Sequence, residues 1–424
     1  MGELLGTEVE VEITNVAHGG VTVARHDGRV IFVSDAIPGE RVMARITDDS
    51  KKAFWRAETV AVVTASQHRQ PHIWSAASID RSPEERAGGA EFGHIEIAHQ
   101  RELKAKVLAD SLRRMAGIET DVTVDAIAGN ADGTGWRTRL RLHVAADGTP
   151  GPYAARSHHV VAVSDLPLAT TEVAAITPLD EKFLGFDHVD VVVPSAGNPF
   201  VLTGTTPKPS RERGKGEKAE RPKPQRIVER VGDREFRLDA RGFWQVHRHA
   251  AQALTLAVQE AIDPSLFDPR AANLDLYGGV GLFAAAVGDR FGNHLRVTTV
   301  ESDPLATDHA AVNLSEWVGA AAVTARVDNF LRQLRSTASP SERARLGAAT
   351  VILDPPRAGA GKGVVDELLT LNPAQIVYVA CDPVALARDV ALFALGGYAL
   401  TRLRAFDLFP NTHHVEAVAT ITRA

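Results

Sequence analysis

A chain of 424 residues is longer than one hydrophobic core organises, so two or three domains are expected. Its 44% hydrophobic and 24% charged residues are those of a globular protein, no apolar run approaches the length of a membrane span, and the opening MGELLGTEVEVE has neither the basic nor the apolar part of a leader, which excludes a membrane partner and leads to a cytoplasmic location. One cysteine excludes an internal disulfide and any cysteine-rich metal or iron–sulfur site but leaves a thiol free for chemistry, and a net charge of −6 excludes a uniformly basic nucleic-acid binder while permitting one with segregated charge.

Residues 1–66 read as a small all-β domain. Period-2 or apolar runs at Thr7–Ile13, Val21–Ala24, Val30–Val33, Arg41–Ile46 and Ala57–Val63 are separated by turn signals at His18-Gly19-Gly20, His26-Asp27-Gly28 and Pro38-Gly39. Five short strands at this spacing suggest an OB-like β-barrel. The stretch GTEVEVEITNVAHGGVTVARHDGRVIFVSDAIPGERV resembles the TRAM domain, which implies RNA binding; the candidate contacts are Lys51, Lys52, Phe54, Trp55 and Arg56, where basic and aromatic side chains interleave.

Residues 67–235 are expected to form a central α+β region. Residues 67–93 read as loop, His99–Ala116 has helical spacing, and strands are expected at Thr138–Val144, Val160–Ser164 and His188–Pro194. Arg137, Arg139 and Arg141 alternate along one strand face and could meet phosphate, although a solvated strand face is the simpler reading. Residues 207–226, PKPSRERGKGEKAERPKPQR, carry eight basic and three acidic residues with four prolines, a composition that buries no core and reads equally as a solvated linker or a nucleic-acid contact.

From residue 236 to 424 the pattern alternates strand and helix: a helix from His249 to Ile262, a strand at Asn273–Tyr277, a helix from Leu282, Arg296–Glu301, a helix from Pro304 to Val318, Ala321–Val327, Ala349–Leu353, Val364–Leu371, Ile376–Ala380, a helix from Val384, and a closing strand pair at Tyr398–Ala405 and Glu416–Thr422. That is a doubly wound, mainly parallel sheet. Gly279, Gly281 and Ala284 form a GxGxxA loop between strand and helix, with Glu301 at the end of the next strand placed to accept from ribose hydroxyls; this pattern fits NAD and S-adenosyl-L-methionine alike. Asp354 ends a strand before Pro355 and Pro356, and Cys381 ends the strand Ile376–Ala380 at the amino end of a helix, which would favour a thiolate. A lone cysteine there is as readily a small buried hydrophobe. Together, the acid, the thiol and the glycine loop indicate a nucleobase methyltransferase site.

DLYGGVGLF (275–283), DPPR (354–357), YVACDPVALARD (378–389) and DLFPNTHHVE (407–416), with FWQVH (243–247) upstream, resemble the ordered motifs of the RNA uracil-5-methyltransferases that make 5-methyluridine in tRNA and rRNA. The resemblance implies a Rossmann-like class I methyltransferase domain using S-adenosyl-L-methionine, with Cys381 as nucleophile, Glu416 as base, Gln245, Tyr277, Gly279, Gly281 and Glu301 at the cofactor, and Asp354 lining both sites. The chemistry needs these residue types: carbon 5 of uracil becomes nucleophilic only after a thiolate adds at carbon 6, and its proton must leave before the thiolate does. Phe243 or Phe409 could support an extruded base. The chain departs from the family pattern at Gly278, Leu282, Ala380 and Asp382, where relatives carry Cys, Asn, Ser and Asn; the charge of Asp382 would raise the thiol's pKa. Some ribosomal relatives carry an iron–sulfur cluster where residues 69–92 have no cysteine here, so no cluster is expected. The expected enzyme is a monomer acting on structured RNA, rRNA before tRNA. A cytosine-5-methyltransferase and a non-catalytic RNA-binding protein on the same fold are the competing readings.

Overall fold

The computed structural model describes residues 4–155, 157–206 and 223–424; the basic segment at 207–226 lies outside them except for its last four residues. The chain forms two compact units, Met1–Gln100 with Gly129–Ile227 and Pro410–His413, and Arg101–Ala128 with Val228–Phe409 and His414–Ala424.

The first unit opens with β1 (Glu8–Ala17), β2 (Val21–His26), β3 (Arg29–Ser34), β4 (Arg41–Asp48) and β5 (Phe54–Thr64), closed into a barrel in the order β1-β2-β3-β5-β4. Alternation along EVEVEI and its partners turns Val11, Ile13, Ile31, Val33, Val42 and Ile46 inward, and Asp27-Gly28, both at positive φ, make the two-residue turn between β2 and β3. Trp55 belongs to this core and is 4% exposed, with the Arg29 guanidinium 4.9 Å from its ring centre. Glu40, fully buried, accepts from Arg69 Nε (2.6 Å) and Nη2 (2.8 Å) and from the amides of Ile37 and Ser66, so the strand that leaves the barrel is tied to the loop that follows.

α1 (Ile97–Ala116) and β6 (Val124–Ala126) follow, and almost all of this stretch joins the second unit rather than forming a central body with its sequence neighbours. Back in the first unit, β7 (Arg139–Val144), β8 (Pro150–Gly151), α2 (Thr171–Ile176), β9 (His188–Val192) and β10 (Phe200–Gly204) make an antiparallel sheet of order β10-β9-β7-β8 beside one short helix. The strand expected at Val160–Ser164 is reduced to one bridge from Val160 to Tyr153. The arginine row is no open phosphate face. Arg139 is 8% exposed, Arg141 is held by both oxygens of Asp190 (2.7 and 2.8 Å), and Arg137 lies over the Trp136 ring.

The second unit continues with a hairpin, β11 (Arg226–Val231) and β12 (Arg234–Asp239), then α3 (Ala250–Ala261), β13 (Asn273–Leu276), α4 (Leu282–Phe291), β14 (Arg296–Glu301), α5 (Pro304–Asn313), β15 (Gly319–Thr324), α6 (Val327–Thr337), α7 (Pro340–Gly347), β16 (Thr350–Leu353), α8 (Gly361–Leu371), β17 (Gln375–Ala380), α9 (Pro383–Leu395), β18 (Tyr398–Asp407) and β19 (Glu416–Arg423). The sheet order is β15-β14-β13-β16-β17-β19-β18-β6, parallel from β15 to β17. The order reverses between β13 and β16, the place where open α/β sheets leave a crevice at the carboxyl ends of their strands. Two features depart from the expected pattern. α6 and α7 occupy a stretch to which the sequence pattern gives no element, and β6 adds an edge strand parallel to β18. Val327, Phe330, Leu331 and Leu334 have the i, i+3, i+4, i+7 spacing that marks α6. Among the described residues no helix is long and apolar enough to cross a membrane.

Candidate active site

Register brings the chemistry-bearing residues of the second unit to one edge of the sheet. Leu276 pairs with Val300 and with Leu353, and Leu353 with Tyr378, so Tyr277, Glu301 and Asp354 leave the sheet at the same end. The antiparallel ladder of β17 and β19 ends at Ala380 and Ala417, so Cys381 and Glu416, one residue further on each strand, stand beside each other at that edge.

Tyr277 takes the left-handed conformation (φ +63°), as do Gly279 (+55°) and Gly281 (+89°), folding the loop back over the strand ends. A side chain at Gly278 would lie 2.0 Å from Thr299 Oγ1 and 2.6 Å from Asp275 Oδ2, so this chain requires glycine there. At Gly279, by contrast, an added Cβ would meet nothing, which leaves the loop's outer face open for a ligand to approach the backbone. Glu301 accepts from the Gly279 amide (3.3 Å) through one oxygen and from Ser302 and Asp303 amides through the other, which fixes its carboxylate beside that face with acceptor capacity to spare. Gln245 lies half-buried in the loop between β12 and α3. These positions suit a nucleoside: an acid for the ribose diol, a glycine surface for close approach, and a crevice that already excludes side chains.

The catalytic candidates sit where water is scarce. Glu416 is 5% exposed, and burial reinforced by the charge of Asp354 holds its carboxyl well above the ordinary range. Asp354, its amide bonded to the Leu276 carbonyl, is pushed up to about 7 by burial and then by Asp275; Asp275, fully buried beneath the glycine loop, is itself raised to about 6, chiefly by burial. The Cys381 thiol is pushed up to about 12 by burial, then by Glu416 and Asp354, against the pull of the Arg357 guanidinium. Burial and the two acids thus work against the thiolate that a helix end would favour. Asp382 does act against the thiolate, but least of these groups; it caps α9, its Oδ1 accepting from Val384 N (3.0 Å) and Ala385 N (2.8 Å).

Phe409 is half-buried with its ring edge toward His414 (5.7 Å between centres), whereas Phe243 is 73% exposed. Three residues were not given roles from the sequence. Arg357, exposed, has its guanidinium 3.4 Å from His414 Nε2 and is the cation acting on the thiol. Asp328, at the start of α6, adds its charge to burial, the larger cause, in raising the Tyr277 phenol. Asp389, in α9, is buried completely. None of the three carries a local signal of this placement: Arg357 and Asp389 are single polar residues inside longer motifs, and Asp328 is the second residue of α6. The barrel candidates Lys51, Lys52 and Arg56 are exposed and Phe54 is half-buried, with Arg56 5.7 Å from the Phe54 ring and Phe32 edge-on to it at 5.3 Å. Trp55 is removed from this set, since its ring fills the barrel.

The family model described as tRNA (Uracil-5-)-methyltransferase matches residues 268–424, and that of the TRAM domain residues 3–60. An uncharacterized RNA methyltransferase of Streptomyces avermitilis is 37% identical, the match covering 99% of each chain. The 23S rRNA (uracil(1939)-C(5))-methyltransferase RlmD of Shewanella halifaxensis is 27% identical over 98% of this chain and 96% of its own. Among solved structures, the Pyrococcus abyssi tRNA (uracil-54, C5)-methyltransferase in complex with S-adenosyl-L-homocysteine superposes with a TM-score of 0.67 at 23% identity, covering 98% of this chain and all of that one, which establishes a shared fold. With a relative above 30% identity along its whole length and both family models in their expected places, the chain belongs to the RNA (uracil-5-)-methyltransferase family.

Proposed function

We propose that this enzyme methylates carbon 5 of a uridine in structured RNA, rRNA in preference to tRNA, with Cys381 as the covalent nucleophile and Glu416 as the base. The observation that carries the reading is the convergence of Cys381, Glu416 and Asp354, from three different strands, on one edge of one sheet, with Glu416 buried and the other two partly buried. The rRNA preference is supported by the full-length likeness to an enzyme named for 23S rRNA.

S-adenosyl-L-methionine, when bound, supplies an electrophilic methyl group. Gln245, Tyr277, Gly279, Gly281 and Glu301 would hold it, with Asp354 lining both its site and the catalytic one. Cys381, partly exposed, gives its proton to solvent and its sulfur bonds to carbon 6, the carbon 5–carbon 6 electron pair moving toward oxygen 4; Arg357 is the charge that favours the thiolate as this happens. After carbon 5 is methylated, Glu416 in its ionised form takes the carbon 5 proton, the double bond re-forms and the sulfur departs with its electron pair. Burial of Glu416 makes its carboxylate a stronger base than a solvated one, at the expense of requiring that it first be emptied of its proton. Lys51, Lys52, Phe54 and Arg56 on the barrel supply phosphate and stacking contacts to the RNA.

The test is the mass of the protein after incubation with S-adenosyl-L-methionine and 5-fluorouridine-substituted RNA, tRNA and 23S rRNA fragments in parallel. Fluorine cannot leave as a proton, so a covalent adduct is expected, preferentially on the rRNA, and absent from Cys381→Ala. Glu416→Gln should accumulate the same kind of adduct on unsubstituted RNA, because methylation can proceed while proton removal cannot. No adduct on any RNA, with RNA binding intact, would overturn the covalent mechanism in favour of a non-catalytic RNA-binding role.

A further inference from the structure

The end of the YVACDPVALARD motif is not used by the reaction as described, yet Asp389 is fully buried and hydrogen-bonded through both of its oxygens. Its Oδ2 accepts from Tyr378 Oη (2.7 Å), from the amide of Ala360 (2.7 Å) and from the amide of Gly361 (3.2 Å). Its Oδ1 accepts from Arg388 Nε (3.0 Å) and Nη2 (2.8 Å), and the same Nη2 donates to the Ala358 carbonyl (2.7 Å). Ala360 N also reaches Tyr378 Oη at 3.1 Å. One carboxylate and the guanidinium beside it thus grip the backbone of residues 358, 360 and 361, the segment that runs directly on from Asp354-Pro355-Pro356-Arg357.

The grip has a consequence for the site. Asp354 and Arg357 are the acid and the cation that act on Cys381 from this segment, with opposite signs. Arg357 is adjacent to the gripped Ala358 and exposed, and among the described residues its side chain meets His414 Nε2 at 3.4 Å, so the path of the backbone governs where its charge lies. Gly359 shows how closely the two elements meet: it takes φ +76°, its amide closes a turn onto the Pro356 carbonyl (2.7 Å), and a Cβ there would come within 2.5 Å of Arg388 Nη2 and 2.6 Å of Asp389 Oδ2. The strand carrying the thiol contributes Tyr378, and the helix that begins just after the thiol contributes Arg388 and Asp389, so the nucleophile and the turn facing it are located by the same three side chains.

We propose that Asp389, acting with Arg388 and Tyr378, is a positioning residue that locks the turn 354–361 and so holds Asp354 and Arg357 opposite Cys381. The inference rests on the reading of Cys381 as nucleophile for its effect on turnover, but the lock itself concerns only the placement of charge around a thiol.

That separation makes it testable without RNA. Cys381 is the chain's only cysteine, so the rate of alkylation by iodoacetamide reports it alone. In Asp389→Ala, and in Gly359→Ala, which breaks the same contact from the turn's side, hydrogen exchange of the peptide spanning residues 357–361 should quicken and the alkylation rate at fixed pH should change, each by about tenfold or more, as expected when charge-assisted hydrogen bonds are lost. Turnover should fall about ten- to a hundredfold while the affinity for S-adenosyl-L-methionine stays within about threefold, since the glycine loop is untouched. Asp389→Asn, which keeps one acceptor oxygen, should recover part of each effect. Exchange and alkylation unchanged in both variants would overturn the proposal whatever the RNA assay gives, as would quickened exchange with alkylation and turnover at the level of the unaltered protein. If the unaltered enzyme forms no RNA adduct but exchange and alkylation respond as stated, the lock stands and the covalent mechanism falls.

Discussion

At the scale of single residues, burial outweighs sequence neighbourhood. Cys381 precedes a helix and sits beside Asp382, yet the groups that set its resting state come from β16 and β19. The same logic applies to His72 and His94 in the first unit, where burial holds the rings far below their usual 6.5, His72 at about 4. Both are neutral in the fold and charge readily when unfolded, so the unfolded state binds more protons between these values and stability is lost as pH falls from about 6.5 toward about 4. For His72 alone this is about 2 kcal/mol between about pH 7.5 and about pH 5. Urea unfolding at the two pH values should show a loss in the unaltered protein that is smaller by this amount in His72→Gln. The raised acids Asp275, Asp354 and Glu416 work in the opposite sense, their stabilisation fading as pH rises through their folded values, so the comparison has to be made variant against parent rather than on the parent alone.

At the scale of elements, one ion pair secures α1 to the catalytic sheet. Lys104 Nζ, fully buried, lies 2.5 Å from Asp407 Oδ1 at the end of β18 and 3.1 Å from the Phe409 carbonyl. Removing the lysine leaves a carboxylate in an apolar interior. Lys104→Ala should therefore lower the denaturant midpoint by the equivalent of about 3–5 kcal/mol, and Lys104→Met combined with Asp407→Leu should restore most of it. The pair also locates the chain just ahead of Glu416, since β18 and β19 are joined through the segment that begins at Leu408 and Phe406 pairs with Glu416. A substitution that appears remote from catalysis would then reach the base through the end of one strand.

At the scale of the whole chain, the two units are not two consecutive halves. Leu108 and Leu112 of α1 are completely buried in the core of the second unit, and Val124 of β6 is 8% exposed there. Burial of side chains of this kind contributes about 1.5–3 kcal/mol each. A fragment of residues 228–424, although it holds every residue assigned to the reaction, should fail to give a cooperative thermal transition by circular dichroism. A sharp melt from that fragment would show that α1 and β6 are dispensable to the fold.

Much of this was written locally. The Rossmann-like alternation, the five barrel strands, the glycine loop and the strand-end positions of Asp354, Cys381 and Glu301 depend on periodicity and turn chemistry within a few residues, so they are readable before any contact is known. Other features depend on partners far along the chain. Trp55 looks like a stacking residue by composition but is turned inward by the alternation of a closed barrel. Arg141 looks free for phosphate until Asp190, 49 residues away, occupies it. The three-residue β6 carries too little pattern to announce itself and exists because β18 offers it an edge. Asp389 reads as one polar residue in a helix, and it becomes a lock only because the sheet's register returns residues 358–361 to its side. Local propensity sets which elements form and which chemistry their ends can carry; desolvation and long-range pairing, which no local pattern records, set the charge each group bears and which groups meet.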